Sequence, residues 1–314
     1  MRFFLASVFL IMSSAVSAVA ADELRIVTWN IDGTSFNGRE ADYERFMGLA
    51  DPDFVLLQEL LSEQQTTDFM GQAGISGQQK TSEFSKDSET NPYFKLEVGI
   101  VAVGGTLSIC REFDPRVDND DDVEDIELKA PSFLPQDQRS RTGFRGFLWC
   151  ENPEKNLVLI NVHLKSSGGR EGAEDENNAF QREGVIGAVV TEIARHSAAN
   201  PGVSYLVAGD FNVAPQDAKK VGSDLSLRCS NENCEDYDQT HAIAAGDFVP
   251  GVTMRNLTAG VGRTYMGRNA FKYLDSPIDN IYAMGPLFEG KRIRTERLEP
   301  FGSDHAAVVV TVSD

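Results

Sequence analysis

Six short segments of this 314-residue chain set a polar, acidic or imidazole side chain at or beside the end of an apolar run rich in β-branched and aromatic residues. They are Thr28-Trp29-Asn30-Ile31-Asp32, Gln58-Glu59, Asn161-Val162-His163-Leu164-Lys165-Ser166, Gly209-Asp210-Phe211-Asn212, Ile278-Asp279-Asn280-Ile281 and Ser303-Asp304-His305. Apolar runs of this kind read as buried strands. A strand end holds its side chain rigidly at the rim of a sheet, so six such ends can meet in one place.

The same runs, at residues 24–29, 54–57, 98–103, 144–149, 157–162, 205–208, 278–282 and 306–312, alternate with helical patterns. One helix is expected over 41–50. A second is expected over 178–196, where Ile186, Val189, Val190 and Ile193 recur at three- and four-residue steps before Asn200-Pro201-Gly202 stops them. The alternation predicts an α/β protein. No internal repeat and no Pro/Gly/Ser linker divides residues 21–314, which are expected to form one domain. Residues 1–20 read as a secretory signal: Arg2 is their only charge, residues 3–12 are apolar, and Ala18-Val19-Ala20 is a small-x-small cleavage site. An apolar run of that length is too short for a membrane span, which needs about 20 residues. Export to the periplasm or the exterior, without stable membrane insertion, is therefore expected.

An exported chain can keep disulfides. Of the three ways to pair Cys110, Cys150, Cys229 and Cys234, the expected one joins Cys229 to Cys234 across a short polar loop and Cys110 to Cys150 between strand ends. A zinc site is disfavoured, because a lone C-x4-C has no second cysteine pair and the four histidines are scattered. Two inserts stand out. Residues 114–127 carry eight acidic side chains against one arginine, lack calcium-loop spacing and read as a solvated loop. Residues 166–178 form a polar loop directly after a strand, a position where loops often carry function.

Together the six segments offer Asn30, Asp32, Glu59, Asp210, Asn212, Asp279, Asp304, His163 and His305. Hard oxygen donors without thiolates suit Mg2+ or Mn2+, with Ca2+ also admissible. A cation in such an acidic setting reverses the local field and draws phosphoryl oxygens in, so metal-assisted attack of water on a phosphoester is the expected chemistry. The formal net charge of −19 argues against nucleic-acid binding through a broad basic surface. A local positive cleft is compatible with it.

The order and wording of the segments resemble the endonuclease/exonuclease/phosphatase superfamily, the deoxyribonuclease I-like fold, over residues 24–312. The resemblance implies a four-layer sandwich of two mixed β-sheets flanked by helices, with the site at strand ends along one edge. It implies that Glu59 is the principal metal-ligating glutamate, that Asn30 and Asp32 lie close to the cation or its waters, and that Asp304 is a second acidic residue there. By the same resemblance Asp210 orients or deprotonates the attacking water, Asn212 contacts the scissile phosphate, and His305 stands at the phosphate with its ring oriented by Asp279. His163 matches the second histidine of the deoxyribonuclease, sphingomyelinase and phosphatase branches, and Asn161 on the same strand is an expected substrate contact.

A carboxylate such as Asp279 would favour the imidazolium form of His305, which can stabilise charge on a phosphoryl group. Glu97 is the candidate orienter of His163. Arg145, near Arg139 and Arg141, is an expected phosphate contact; a salt bridge from this loop to the acidic insert is the alternative. Lys291, Arg292, Arg294 and Arg297 read as a basic strand face, whereas His196 and His241 have no motif around them and are assigned no role. The expected function is a monomeric, exported, divalent-metal-dependent phosphoesterase, foremost a nuclease acting on DNA or RNA. The alternative is a phospholipid or sphingomyelin phosphodiesterase, or a phosphomonoesterase. No aromatic hairpin suited to a membrane surface is evident, since Phe133-Leu134 and Phe301 are isolated.

Overall fold

The structure, a computed structural model, describes residues 23–84, 96–114, 124–129, 131–134, 145–166, 176–215, 238–267 and 277–314. The proposed signal segment, Arg139, Arg141, the Cys229 and Cys234 pair and most of both inserts lie outside them. Two mixed sheets form the centre. The first contains β1 (Leu24–Asn30), β2 (Phe54–Leu60), β3 (Gly77–Thr81), β4 (Glu97–Val103), β12 (Arg292–Arg297) and β13 (Val308–Ser313), in the order β12-β13-β1-β2-β4-β3. The second contains β5 (Ser108–Asp114), β6 (Glu124–Glu127), β7 (Phe147–Asn152), β8 (Leu157–His163), β9 (Ser204–Asp210), β10 (Arg255–Asn256) and β11 (Asp279–Met284), in the order β10-β11-β9-β8-β7-β5-β6. β1 with β2, β5 with β6 and β8 with β9 are parallel, and the other neighbours run antiparallel.

Strand side chains alternate between faces, and here the alternation sorts three hydrophobic layers. Leu24, Ile26, Leu56, Leu157, Leu159, Leu206, Ala208, Ile281, Val310 and Val312 pack together between the sheets. The opposite face of the first sheet gives Val27, Trp29, Val55, Leu57 and Val309 to helices α1 (Glu40–Ala50) and α2 (Glu63–Gln72), which answer with Tyr43, Phe46 and Phe69. The second sheet buries Trp149, Val158, Ile160, Val162 and Val207 under Val185, Ile186, Val189, Val190 and Ile193 of α3 (Glu176–Ala199) and Ile243 of α4 (Thr240–Ala244). The layers are therefore helix, sheet, sheet, helix. Among the described residues no helix is long and apolar enough to cross a membrane.

Several elements depart from the sequence reading. Residues 124–127 are not loop; they add β6 to the rim of the second sheet, parallel to β5. α2 carries only Thr66 and Phe69 as buried residues, too few for a visible helical period. Cys110 and Cys150 form the expected disulfide, which links neighbouring strands β5 and β7.

Asn161 is the main correction. It is fully buried. Its Nδ2 donates to the Leu57 and Gly99 carbonyls, both at 2.8 Å, and its Oδ1 accepts from Gln58 Nε2 at 2.7 Å. With its amide spent on three groups of the facing sheet, Asn161 fastens the two sheets together and has no exposed group for a substrate. Replacing it with Ala leaves buried polar groups unpaired, each costing about 1–3 kcal/mol. Asn161→Ala is expected to lower unfolding free energy by about 2–4 kcal/mol in urea titrations; a loss below about 1 kcal/mol would show that the fastening is unimportant.

Candidate active site

Parallel β1, β2, β8 and β9 deliver their C-terminal ends to one edge, and antiparallel β11 and β13 deliver their N-terminal ends to it. Following the inward face of each strand toward that edge replaces hydrocarbon with polarity. Ile26 gives way to Thr28 and Asn30, Leu56 to Gln58, Leu159 to Asn161 and His163, Ala208 to Asp210, and Ile281 to Asp279. Register does the rest: Asp210 lies opposite both His163 and Asp279 in its own sheet.

Asp210 is the centre of the result. Its Oδ1 accepts the Asn212 backbone N–H at 2.8 Å, and its Oδ2 accepts Asn30 Nδ2 from the other sheet at 3.2 Å. His163 Nε2 and His305 Nε2 stand 3.7 and 3.8 Å from the same Oδ2. Burial pushes the Asp210 carboxyl up to about 7, with His305 opposing and Asp279 and Glu59 reinforcing the rise. His305 goes the other way from an ordinary buried histidine. Burial by itself would lower it, but Asp279 and Asp210 outweigh that and raise it to about 10. Its Nδ1 lies 2.9 and 3.1 Å from the two Asp279 oxygens, so Asp279 orients this ring as expected, and Tyr265 covers it at a ring separation of 5.0 Å.

Glu59 breaks the two-residue period. β2 carries a bulge between Gln58 and Leu60, and Glu59 has a left-handed φ of 59°. Without the bulge its side chain would share the helix-facing side with Leu57; with it, Oε1 comes to 3.5 Å from His163 Nε2. Gly33 lets the neighbouring loop close over this point, since a Cβ there would sit 2.3 Å from the Glu59 carbonyl oxygen. Asp32 and Asn212, at φ 49° and 55°, are left-handed as well. Three strained non-glycine residues around one pocket fit a site whose geometry the surrounding packing imposes.

The remaining expected residues divide. One oxygen of Asp304 lies 4.0 Å from His305 Nε2, at the exposed mouth. The Asp32 carboxylate accepts the hydroxyls of Thr34 and Ser35 at 2.6 and 2.8 Å, which places it at the rim, and its charge reaches Asp304. Arg145 donates to the Leu164 carbonyl at 3.1 Å, and its charge reaches Glu59 and Asp210. Asn212 Nδ2 donates to the same Leu164 carbonyl at 3.0 Å. Glu97 does not orient His163. Its Oε2 accepts from Ser82 Oγ and the Phe84 N–H, both at 2.9 Å, whereas His163 Nδ1 has no hydrogen-bond partner among the described residues. Burial, then the charges of Arg145, His305 and Lys165, hold His163 well below its ordinary value, so its imidazole is neutral.

The sequence profile of the endonuclease/exonuclease/phosphatase family matches residues 27–305, a span that runs from β1 to His305. The chain belongs to this family. Its members are phosphoester-hydrolysing enzymes that generally use divalent metals. No curated protein is a significant match. Among solved structures, truncated TDP2 of Caenorhabditis elegans superposes with a TM-score of 0.55 at 15% identity over 93% of this chain and 98% of that one. An endonuclease/exonuclease/phosphatase of Bacteroides vulgatus does so at 0.54 and 15%, with the same two coverages. TDP2 of D. rerio, complexed with a single-strand DNA product, gives 0.50 at 17% over 93% of this chain and all of that one. These likenesses show the fold.

Sequence reasoning missed His241, which supports the family's Gly-Asp-x-Asn segment from beneath. It is buried, Nε2 meets the Val213 carbonyl at 2.9 Å, Nδ1 meets the Tyr282 hydroxyl at 2.7 Å, and the ring stacks on Phe211. A carbonyl accepts only from N–H, so Nε2 carries the proton and Nδ1 accepts from Tyr282. No motif marks it, because its partners come from distant strands. Burial pushes His241 down to about 4. The unfolded chain, with a histidine near 6.5, therefore binds the extra proton first. This contribution to stability, about 3 kcal/mol, is complete above pH 6.5 and is lost as pH falls toward 4. Urea midpoints of the wild type should fall more steeply between pH 6.5 and 4 than those of His241→Gln; equal slopes would remove the role assigned to this histidine.

Proposed function

We propose that this protein is an exported, divalent-metal-dependent nuclease that hydrolyses phosphodiester bonds. The reading rests on one arrangement, the buried Asp210 carboxylate with two imidazoles within 3.8 Å of Oδ2, in a chain of a phosphoester-hydrolysing family. The donors at the mouth suit a hard cation. Glu59 and Asp304 are both raised by burial, Glu59 further by the charge of Asp304 and Asp304 further by the charges of Asp32 and Asp279, so a divalent ion would relieve a cost these carboxylates carry. Glu59 and Asn30 would hold it, with Asp304 and Asp32 at the rim. When bound, Mg2+ or Mn2+ would supply the positive field that draws phosphoryl oxygens toward an acidic mouth and offsets their developing charge.

The chain's own groups divide the remaining work. Asp210, poised near neutrality, accepts a proton from the attacking water, the range in which general bases work best. His305, kept cationic by Asp279, donates from Nε2 to a non-bridging phosphoryl oxygen; as the water oxygen bonds to phosphorus, the bond to the leaving oxygen breaks, and that oxygen takes its proton from solvent water. Neutral His163 steadies the same oxygens, Asn212 offers the second hydrogen of its amide, and Arg145 contacts a substrate phosphate. The nucleic-acid choice draws support from the DNA-bound D. rerio neighbour and from the pair of histidines. Export draws support from the apolar leader and from the Cys110–Cys150 disulfide, which suits an oxidising compartment.

Purified protein with Mg2+ or Mn2+ is expected to nick plasmid DNA or degrade single-stranded DNA or RNA, and EDTA is expected to stop it. Asp210→Asn should cost about 10²–10⁴ in kcat with an unchanged melting temperature or a higher one. Hydrolysis confined to sphingomyelin vesicles or to a phosphomonoester would replace the nuclease reading with a lipid or monoester one.

A further inference from the structure

Arg39, just before α1, is 6% exposed and directs its guanidinium at backbone carbonyls. Nη1 donates to Ile31 O at 2.7 Å, while Nε and Nη2 donate to Phe301 O at 2.8 and 2.6 Å. The Trp29 and Tyr43 rings lie 5.4 and 5.2 Å from its central carbon. Buried arginines usually pair with carboxylates; no ion pair to Arg39 occurs among the described residues.

Ile31 lies between Asn30 and Asp32, and Phe301 begins the turn that leads into Asp304 and His305. One guanidinium therefore grips both loops. The second loop is bent to meet it: Phe301 is left-handed at φ 48°, although its ring is buried against Trp29 and Phe46. Gly302 follows at φ 85°, and a Cβ there would come within 2.8 Å of Arg39 Nε. Two more bonds cross the same seam, Ser303 Oγ to the Asn30 carbonyl at 2.7 Å and Trp29 Nε1 to the His305 carbonyl at 3.2 Å.

We propose that Arg39 is a positioning residue of the active site: it joins the loop of Asn30 and Asp32 to the loop of Asp304 and His305 and so sets the spacing between the cation-holding and phosphate-facing halves. The inference rests on the hydrolase reading above. Lysine keeps the charge but presents no planar fork, so it cannot bridge two carbonyls in the same way.

Hydrogen exchange on the full purified chain, compared with Arg39→Lys and Gly302→Ala, tests the junction without reference to activity. Both variants should speed exchange in residues 30–36 and 299–306 together and leave α3 and the second sheet unchanged. On DNA, kcat should fall about 10–100-fold, with KM moving less than about threefold. Guanidinium ion should return about tenfold to Arg39→Ala. Exchange that rises in one loop only or evenly through the protein would overturn the proposal, as would full activity of Arg39→Lys. If the wild type hydrolyses no phosphoester, the hydrolase reading falls, and the exchange arm still decides whether Arg39 couples the loops.

Discussion

Asp210 sits where two sheets meet, and the cost of burying its carboxylate organises what surrounds it. Removing such a group from water costs several kcal/mol unless other groups replace the lost hydration. Here the replacements are a backbone N–H, the amide of Asn30 and two imidazole nitrogens. Asn30 belongs to one sheet and Asp210 to the other, so the contact that solvates the carboxylate also fixes how the sheets sit together. Asp279 and Asp210 together hold His305 above its ordinary value against the burial that would lower it. The polar cluster is thus a structural joint as well as the candidate active site.

The joint has a graded interior. Hydrocarbon fills the space between the sheets up to Thr28, Gln58 and Asn161, which bond to one another or to backbone across the gap, and the ionisable groups stand beyond them. Asn161 and Gln58 form a buried polar floor under the ionisable groups. Strain gathers above that floor, in Asp32, Glu59, Asn212 and Phe301, where side chains or carbonyls must turn away from the directions a regular strand or helix would give them.

Much of this is legible in the amino-acid sequence. Period-two strands that change from Leu, Ile and Ala to Asn, His and Asp near one end announce a shared edge, and the Asp279–His305 pair is what the family resemblance implies. Asn161 reads as a substrate contact because it shares an inward strand face with His163; only distance along the strand separates a sheet fastener from a group at the candidate site. Glu97 was misassigned because a carboxylate near a strand start has many partners available, and here Ser82 and Phe84 take it. Polar β3 and charged β12 are held by pairing at the two rims of the first sheet, and weakly apolar α2 by the sheet face it covers, so their own sequences say little. Arg39 and His241 were invisible for a related reason: each acts on backbone carbonyls, which leave no trace in residue identity.

β1 begins and β13 ends side by side, with Leu24 opposite Val312, at the end of the sandwich remote from the reactive groups. Whatever is attached to either of these strands, whether an affinity handle, a solid support or a fused module, therefore projects from the back of the molecule.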